Sequence, residues 1–297
     1  MKKIIEHIKL LDLLAKEPLN SHQPVKAYLR YFGWQILKRS GLNLRYRFFE
    51  DCRIRVKNKF SNSSACAYVG LPEFSCKAFL LHFLREGDMF VDAGANIGLY
   101  SILAAKCCGA KVLAFEPEPS AFRELQNNVS LNDISDLVTC HQIALGGEAY
   151  QLKITTNYGV QNHLRFPDDE TEPGVVVDVR PLDDFCEKEK PVLLKIDVEG
   201  FESEVVYGSL MTIAQPEVKV IILERMGLGR RYEFDEDELH TNLLKLDFEC
   251  YSYLPFERRL EPVKKTTVGN YFYIRDLPYV MDRLQNAQRY RCRGKEF

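Results

Sequence analysis

The sequence has no uncharged stretch long enough to cross a membrane as a helix. Its two longest stretches without a charged residue, 60–72 and 93–105, contain 13 residues each, whereas a membrane-spanning helix needs about 20 apolar residues. Charged residues such as Glu6, Lys9 and Asp12 also interrupt the N-terminal region, where a signal peptide has its apolar run. We therefore expect a protein that is not exported and that resides in the cytoplasm.

Cysteine, glycine and proline occur in patterns that exclude several classes of protein. The nine cysteines include no C-x-x-C pair, and an odd, scattered set does not match the even framework of a disulfide-stabilised secreted domain. The same spacing disfavours a structural zinc site. With 17 glycines and 13 prolines among 297 residues, the chain is neither collagen-like nor of low complexity. The composition is that of a globular protein with free thiols.

Positive and negative charges are unevenly distributed along the chain. The formal net charge is −2, but residues 1–60 carry +9, residues 61–274 carry −14 and residues 275–297 carry +3. The acidic middle region disfavours a nucleic acid as the partner. We interpret the basic N-terminal region as an extension that packs on an acidic domain. The alternative is an arm that contacts an anionic membrane surface or an acidic partner.

From about residue 73 onwards, predicted strands and helices alternate. The strands are predicted at 89–92, 111–115, 138–144, 192–196, 218–223, 249–254 and 270–274. The helices are predicted at 98–106, 120–131, 202–213 and 235–246. This alternation predicts an α/β fold in which right-handed crossovers join the strands of a parallel sheet. Residues 147–190 break the rhythm with two strand-like runs, 151–155 and 175–179, and are predicted to form a β insertion.

Three regions are predicted along the chain. Residues 1–65 form a basic N-terminal extension with helices at 2–16 and 25–39 and a short strand pair at 44–56. A loop rich in serine and asparagine at 61–64 marks the end of this extension. Residues 66–276 form the main domain, and residues 277–297 form a basic C-terminal tail.

The second predicted helix carries its apolar residues on one stripe. The stripe consists of Val25, Tyr28, Leu29, Phe32 and Ile36. Because Pro18, Pro24 and Gly33 interrupt this apolar region, we expect the stripe to pack on the main domain or on a second subunit of a homo-oligomer. The alternative is a peripheral contact with the inner face of a membrane, which a basic amphipathic segment favours.

The segment at 91–98 combines a strand end, an acid and a glycine-rich turn. Its sequence, V-D-A-G-A-N-I-G, places Asp92 at the end of the strand and Gly94 and Gly98 in the turn before the next helix. Glycine permits the tight turn and a close start of the helix on the sheet, and a helix N-terminus favours an anionic group of a ligand. The dinucleotide fingerprint G-x-G-x-x-G is absent, because Asn96 stands where its second glycine is required.

A second acid, Glu116, ends the next predicted strand and is followed by Pro117. Glu116 lies 24 residues after Asp92, at the edge where the carboxyl ends of neighbouring parallel strands meet. An acid at this place accepts hydrogen bonds from ribose hydroxyls. The two acids together predict a ligand that contains a nucleoside.

Five segments occur in an order that is typical of one enzyme family. They are the motif at 92–98, F-E-P at 115–117, N-N-V at 127–129, A-L-G at 144–146 and K-I-D-V-E-G-F-E at 195–202. With these motifs the sequence resembles the FkbM family of S-adenosylmethionine-dependent methyltransferases over residues 70–274. The resemblance implies a class I, Rossmann-like methyltransferase fold with a mostly parallel seven-stranded sheet and helices on both faces.

The same resemblance implies S-adenosylmethionine as the cofactor and a set of residues that bind it. These residues are Asp92, Ala93, Gly94, Asn96, Gly98, Glu116, Pro117 and Ala144. The implied reaction is O-methyl transfer to a hydroxyl of a sugar, a glycan or a complex natural product, as in polysaccharide biosynthesis.

Two carboxylates are the main candidates for chemistry at the acceptor. Asp197 and Glu224 end neighbouring predicted strands, at the sheet edge where open α/β sheets bind ligands. A hydroxyl is a poor nucleophile, so methyl transfer to it needs a positioned base or a metal ion. Asp197 is the first candidate, as a base or, with Glu224, as a ligand of Mg²⁺. His163 in the insertion is a further candidate base, and Lys195 is expected to pair with a carboxylate.

Two other functions stay open from the sequence alone. One is a nucleotide-binding oxidoreductase of the Rossmann type, and the other is a non-catalytic binding module that keeps the same fold. The absent dinucleotide fingerprint argues against the oxidoreductase. The intact set of Asp92, Gly94, Gly98 and Glu116 argues against a module that has lost its cofactor.

Overall fold

A computed structural model describes residues 10–39, 44–56, 61–156, 162–165 and 173–297. The helices are α1 (Pro24–Lys38), α2 (Ser61–Tyr68), α3 (Phe74–Phe83), α4 (Leu99–Cys108), α5 (Pro119–Leu131), α6 (Glu202–Tyr207), α7 (Leu210–Ala214), α8 (Glu236–Lys245) and α9 (Leu277–Gln285). A helical segment at 10–16 precedes α1. The part of the first predicted helix before residue 10 lies outside the described residues.

The strands belong to one large sheet and three smaller ones. They are β1 (Leu44–Phe49), β2 (Cys52–Val56), β3 (Met89–Ala93), β4 (Lys111–Phe115), β5 (Val138–His141), β6 (Ala144–Leu145), β7 (Tyr150–Thr155), β8 (Leu164–Arg165), β9 (Gly174–Arg180), β10 (Pro191–Ile196), β11 (Val220–Arg225), β12 (Glu249–Leu254), β13 (Arg259–Pro262), β14 (Gly269–Ile274), β15 (Arg291–Cys292) and β16 (Lys295–Glu296).

The large sheet has eight strands in the order β13-β12-β14-β11-β10-β3-β4-β5. The neighbouring pairs from β5 to β11 are parallel, and the pairs β11–β14, β14–β12 and β12–β13 are antiparallel. This sheet confirms the predicted α/β class with a mostly parallel arrangement. The additional strand β13 forms a hairpin with β12, so it extends the predicted seven-stranded sheet at one edge only.

Side chains of the central strands alternate between two hydrophobic cores. Phe90 and Ile222 face the core that contains α3, α4 and α5. Val91 and Ile221 face the core that contains α6, α7 and α8. Because helices cover both faces of the sheet, both faces of its central parallel strands are buried, which explains the mostly apolar runs in the sequence.

The predicted β insertion contributes β7, β8 and β9 to a separate four-stranded sheet in the order β6-β9-β7-β8, in which β6 immediately precedes the insertion. Strands β7 and β9 pair antiparallel and coincide with the strand-like runs predicted at 151–155 and 175–179. The buried residues between this sheet and the rest of the chain form a small core: Ala144, Leu152, Ile154, Leu164, Val177, Val179 and Phe201. The insertion is therefore packed on the loop that follows β10.

One predicted helix, 202–213, is divided into α6 and α7 in the structure. Gly208 lies between the two helices, so close to the loop after β6 that a Cβ atom at its position would be 1.9 Å from the carbonyl oxygen of Gly146. Val205 of α6 and Ile213 of α7 face the same core. The apolar periodicity therefore continues across the break, and it predicts a single helix.

Side-chain amides of α5 attach the N-terminal strand pair to the main domain. As predicted, β1 and β2 form an antiparallel hairpin. The side chain of Asn132 accepts a hydrogen bond from the backbone N–H of Arg53 at 2.8 Å and donates one to its carbonyl oxygen at 2.7 Å. Asn128 accepts one from the backbone N–H of Arg55 at 2.9 Å. The buried Ile54 of the hairpin belongs to the core that contains α3 to α5.

Two regions that the sequence assigns to a loop and a tail are folded. The predicted loop at 61–64 is wrong, because these residues form the first half of α2, which buries Cys66 in the core. Residues 277–297 form α9 and the β15–β16 hairpin. Val280 and Leu284 of α9 are fully buried, and their burial holds this basic segment on the domain.

The apolar stripe predicted on the second helix is largely exposed in the structure. The stripe residues on the outer face of α1, each between 51% and 72% exposed, are Val25, Leu29, Phe32 and Ile36. The opposite face is buried and includes Tyr31 and Trp34, whose indole ring contacts Tyr46 of the hairpin. The expected packing, on the main domain or on a second subunit, therefore stays a prediction for this outer face. Among the described helices, none combines the length and the apolar character needed to span a membrane.

Candidate active site

A cavity of about 290 Å³ lies at the carboxyl ends of the central strands. Residues that end or follow β3, β4, β10 and β11 line it, namely Gly94, Glu116, Asp197 and Glu224. The insertion contributes Ile154 and the segment 162–164 to its wall. The cavity therefore occupies the sheet edge at which open α/β folds bind ligands.

The structure brings most of the predicted site residues together in this cavity. Those that line it are Gly94, Asn96, Glu116, Pro117, Ala144, His163, Asp197 and Glu224. Three predicted cofactor-binding residues, Asp92, Ala93 and Gly98, are buried behind the wall instead. These three residues do not line the cavity. They shape and support the loop that forms its wall.

Asp92 is a fully buried acid beneath the glycine-rich loop. Its Oδ2 accepts hydrogen bonds from the backbone N–H of Ser101 at 3.1 Å and from the Ser101 hydroxyl at 2.6 Å, and thereby holds the first turn of α4. Burial raises the pKa of Asp92, while the charge of Lys195 opposes that rise. Its Oδ1 is buried and has no hydrogen-bond partner within the described residues. Asp92 therefore supports the glycine-rich loop from behind the cavity wall.

Two glycines shape the loop between β3 and α4. Gly94 has a φ of +82°, and a Cβ atom at its position would lie 1.9 Å from the carbonyl oxygen of Asp197. Gly98 has a φ of +89°, and its Cβ atom would lie 2.6 Å from the side chain of Leu125 in α5. The sequence predicts a close approach of Gly98 to the sheet, whereas the structure has this approach between α4 and α5. Gly94 is the residue that lets the ends of β3 and β10 lie close together.

Glu116 joins the loop after β3 to the loop after β4. Its Oε2 accepts a hydrogen bond from the backbone N–H of Asn96 at 2.8 Å, and its Oε1 accepts one from the backbone N–H of Glu118 at 2.9 Å. Burial raises the pKa of Glu116 to about 7. A carboxylate has about four acceptor positions, so Glu116 keeps positions for ligand hydroxyls at the cavity wall.

Asp197 is paired with a buried lysine. The Nζ atom of Lys195 lies 2.7 Å from Oδ2 of Asp197, which confirms the predicted pairing of Lys195 with a carboxylate. Burial opposes the ionisation of Asp197, but Lys195 and a hydrogen bond from Glu224 hold its pKa below the ordinary value. Burial and the charge of Asp197 raise the pKa of Glu224. Glu224 is therefore the protonated partner of a charged Asp197.

Glu199 adds a third carboxylate to this pair. One carboxylate oxygen from each of Asp197, Glu199 and Glu224 lies within 4.8 Å of the other two. Glu199 follows β10 in the left-handed region, with a φ of +56°, and burial raises its pKa to about 7. Carboxylate oxygens are ligands that Mg²⁺ accepts in proteins, so the two predicted metal ligands are adjacent and have a possible third partner.

His163 lines the cavity from the insertion and is buried. Its backbone N–H donates a hydrogen bond to the hydroxyl of Thr155 at 3.0 Å, which fixes its place before β8. The Nε atom of Arg165 lies 3.4 Å from Nε2 of His163 and donates to it. The role of His163 as a base stays a prediction.

Two acids of the cavity wall, Glu73 and Glu118, are not predicted by the motifs. Glu118 caps α5, because its carboxylate accepts a hydrogen bond from the backbone N–H of Ala121 at 2.7 Å. An acid followed by proline is a typical start of a helix, so the sequence does contain a signal for Glu118. Glu73 precedes α3 and reaches the cavity only because α3 packs on α4, which no local pattern reports.

The donors and acceptors of the cavity fit S-adenosylmethionine. Glu116 lines the cavity and offers acceptors to ribose hydroxyls, and the loop at 94–98, which Asp92 supports through Ser101, opens into α4. Together with the mostly parallel sheet, this site defines a class I methyltransferase that depends on S-adenosylmethionine.

Comparison with protein families places the chain in one branch of this class. The model of the methyltransferase FkbM domain matches residues 92–250, which is more than half of the chain. The chain therefore belongs to the FkbM methyltransferase family. This membership supports the predicted methyltransferase and does not support the oxidoreductase that the sequence leaves open.

Two curated fungal relatives share part of this region. Methyltransferase 1 of Beauveria bassiana is 32% identical over 147 residues, with 41% of this chain and 59% of the relative covered. Methyltransferase sdnD of Sordaria araneosa is 32% identical over 159 residues, with 42% of this chain and 61% of the relative covered. The chain thus spans about 60% of the length of these two relatives.

Solved structures of methyltransferases are also similar to this chain. The crystal structure of methyltransferase FkbM from Methylobacillus flagellatus is 17% identical and has a TM-score of 0.47, with 81% of this chain and 57% of that chain covered. An S-adenosylmethionine-dependent O-methyltransferase from Thermotoga maritima is 15% identical and has a TM-score of 0.40, with 69% of this chain and 65% of that chain covered.

Proposed function

We propose that this enzyme transfers a methyl group to a hydroxyl oxygen of a sugar, a glycan or a glycosylated natural product. The observation that carries the proposal is the ion pair of Asp197 with Lys195 at 2.7 Å, in the cavity that also holds Glu116. The pair keeps a charged carboxylate at the wall that the acceptor must reach. A hydroxyl acceptor needs such a base, because its own pKa is far above neutral.

Each residue of the pair has a defined task in this reaction. S-adenosylmethionine supplies an activated methyl group when it is bound. Methyl transfer to the acceptor oxygen would break the bond between that methyl group and the sulfonium sulfur and leave S-adenosylhomocysteine. Asp197 would accept the proton of the acceptor hydroxyl, and Lys195 keeps Asp197 charged and oriented. Glu224 fixes Asp197 from its other side through their hydrogen bond. The cavity aligns the acceptor with the cofactor and excludes water, which removes much of the entropic barrier.

Two variants of this chemistry use the same wall. In the first, Asp197 and Glu224 hold Mg²⁺ with Glu199, and the ion lowers the pKa of the acceptor hydroxyl. In the second, His163 accepts the proton in place of Asp197. Activity that disappears with a chelator and returns with Mg²⁺ identifies the first variant. Activity that disappears in His163→Asn, but persists in Asp197→Asn, identifies the second.

The proposed acceptor class is tested by labelling cell extracts with S-adenosylmethionine that carries a radioactive methyl group. Glycan, lipid, protein and nucleic-acid fractions are separated afterwards. The proposal expects label in the glycan fraction, or in glycolipids, and expects it to withstand mild alkali, because a methyl ether is stable where a methyl ester is hydrolysed. Asp197→Asn is the matched control for background labelling. Label that is confined to protein or nucleic acid, or that mild alkali removes, contradicts the proposal.

We further propose that the enzyme works at the inner face of an anionic membrane, where lipid-linked acceptors are available. Support comes from the exposed apolar face of α1 together with the positive charge of residues 1–60. The β1–β2 hairpin adds two cross-strand arginine pairs, Arg45 with Arg55 and Arg47 with Arg53. Directly opposed like charges are unfavourable in a hairpin, and an anionic surface relieves this repulsion.

A further inference from the structure

The charged residues that line the active-site cavity are all acidic. The cavity is lined by the carboxylates of Glu73, Glu116, Glu118, Asp197, Glu199 and Glu224, and its described lining includes no lysine or arginine. Arg231 acts electrostatically on Glu199 but is not a lining residue. The insertion segments 157–161 and 166–172, which lie outside the described residues, contain no lysine or arginine in the sequence.

The lysines that balance this negative charge lie behind the wall. The Nζ atom of Lys77 is 3.2 Å from Glu73 and 4.1 Å from the ring centre of Tyr100. The Nζ atom of Lys195 is 2.7 Å from Asp197 and 4.6 Å from the same ring centre. The two lysine side chains are only 1% and 3% exposed. Because both lysines are buried and paired with carboxylates, they are not available to a ligand.

Glu73 lies outside the cofactor motifs and precedes α3. Its Oε2 accepts a hydrogen bond from the hydroxyl of Tyr100 at 2.5 Å and pairs with Lys77. The Glu73 side chain is 34% exposed and lines the cavity together with Asp197. Tyr100 and Lys77 thus hold one carboxylate oxygen in place, and the carboxylate group is oriented before any acceptor binds.

We propose that Glu73 binds the acceptor and selects a neutral or cationic polyol, such as a hexose or an amino sugar. This inference rests on the proposed O-methyl transfer, whose acceptor shares the cavity with Glu73. A fixed carboxylate accepts charge-assisted hydrogen bonds from hydroxyl or ammonium groups. An acceptor with a carboxylate or phosphate next to the methylated hydroxyl meets like charges in a partly desolvated site, which weakens its binding. Uronic acids and sugar phosphates are therefore rejected.

Binding of three matched probes tests this proposal without depending on turnover. The probes are methyl glucoside, methyl glucosaminide and methyl glucuronide, titrated into the full-length enzyme with S-adenosylhomocysteine present. We expect the glucuronide to bind at least about tenfold more weakly than the other two, since like charges oppose it. Glu73→Gln should reduce this difference to about threefold or less, because it removes one charge and nearly keeps the shape. Glu238→Gln, an exposed acid of α8, should leave it unchanged.

Turnover of the same probes gives an independent second measurement. A specificity role for Glu73 changes KM for the glucuronide more than kcat, whereas a purely structural role lowers kcat for every acceptor. Equal binding of the glucuronide and the glucoside overturns the proposal, as does binding of none of the three probes. The proposed O-methyl transfer is contradicted by a different result. In that result the probes bind, but neither the probes nor the labelled extracts acquire an alkali-stable methyl group.

Discussion

At the scale of single residues, Glu116 links cofactor binding to pH. Its pKa is raised by burial to about 7, above the ordinary 4.5. The carboxyl group is therefore partly protonated near neutral pH. A ribose brings hydroxyl donors and S-adenosylmethionine brings positive charge, so the ionised form of Glu116 binds the cofactor better than the protonated form. Affinity is expected to rise with pH until Glu116 is fully ionised.

We expect the affinity for S-adenosylmethionine to fall as the pH is lowered below about 7, by up to about tenfold per pH unit. Glu116→Ala should weaken binding by about 1–3 kcal/mol, because ribose hydroxyls lose buried acceptors, and should flatten the pH profile. Calorimetry across this pH range measures both effects, with Glu238→Ala as the control. Unchanged affinity in Glu116→Ala, or an unchanged profile, would show that Glu116 does not bind the ribose.

The residues that the sequence predicts well are those whose position follows from a strand end. Glu116 and Asp197 come directly after apolar strands, so the parallel sheet alone brings them to one edge. Asp92 also follows from its motif, but the motif does not report that it lies behind the wall and not on it. Glu73 is missed because its place depends on the packing of α3 against α4, which no spacing in the sequence encodes.

At the scale of elements, the loop between β3 and α4 depends on a contact that only glycine allows. Gly94 has a φ of +82°, and the backbone that follows β10 lies very close to it. A Cβ atom at Gly94 would be 1.9 Å from the carbonyl oxygen of Asp197. Gly33 offers a matched comparison, because it lies inside α1 and a Cβ atom there would have nothing within 4 Å. The same substitution is therefore expected to have opposite effects at these two positions.

Gly94→Ala should lower the free energy of unfolding by about 1–3 kcal/mol, because it adds left-handed strain and a backbone clash. Gly33→Ala should raise it by about 0.5–1 kcal/mol, because alanine loses less conformational entropy in a helix. Urea denaturation of the two variants beside the unmodified protein measures both changes. Equal stability of Gly94→Ala and the unmodified protein would mean that the loop does not make this close approach.

The bounds of a strand or helix are predictable where its apolar run fits only one type of secondary structure. The strands β3, β4 and β12 match their predictions within one residue, because each is bounded by a turn and buried. The helix predicted at 202–213 is broken by the contact of Gly208 with Gly146, which is a tertiary effect. Helix α1 has two apolar faces, and periodicity alone does not tell which of them the domain covers.

At the scale of the whole molecule, the exposed face of α1 is the main surface without a partner in the folded chain that the structure describes. Its apolar residues lie at spacings of four, three and four, from Val25 to Ile36. Helix α1 belongs to residues 1–60, which carry a net charge of +9. Apolar burial and electrostatic attraction together favour an anionic lipid surface, whereas a second copy of the same basic region would repel it.

Flotation with lipid vesicles tests the membrane contact. We expect the enzyme to float with phosphatidylcholine vesicles that contain about a third phosphatidylglycerol, and to be released by high salt because screening weakens the attraction. Phe32→Glu should abolish flotation, whereas Met211→Glu, at an even more exposed apolar residue of α7, should not. A protein that never floats contradicts the proposal. A dimer that Phe32→Glu dissociates would instead assign the face to a second copy.

The assignment of Asp197 as the group that acts on the acceptor is tested most directly by Asp197→Asn, with turnover and cofactor affinity measured on the same preparation. Asparagine keeps the shape and an oxygen for Lys195 but removes the charge. The account predicts a fall in turnover of about 10²-fold or more, with the affinity for S-adenosylmethionine little changed, because Glu116 and the loop at 94–98 stay intact. Turnover that persists in Asp197→Asn would contradict the account.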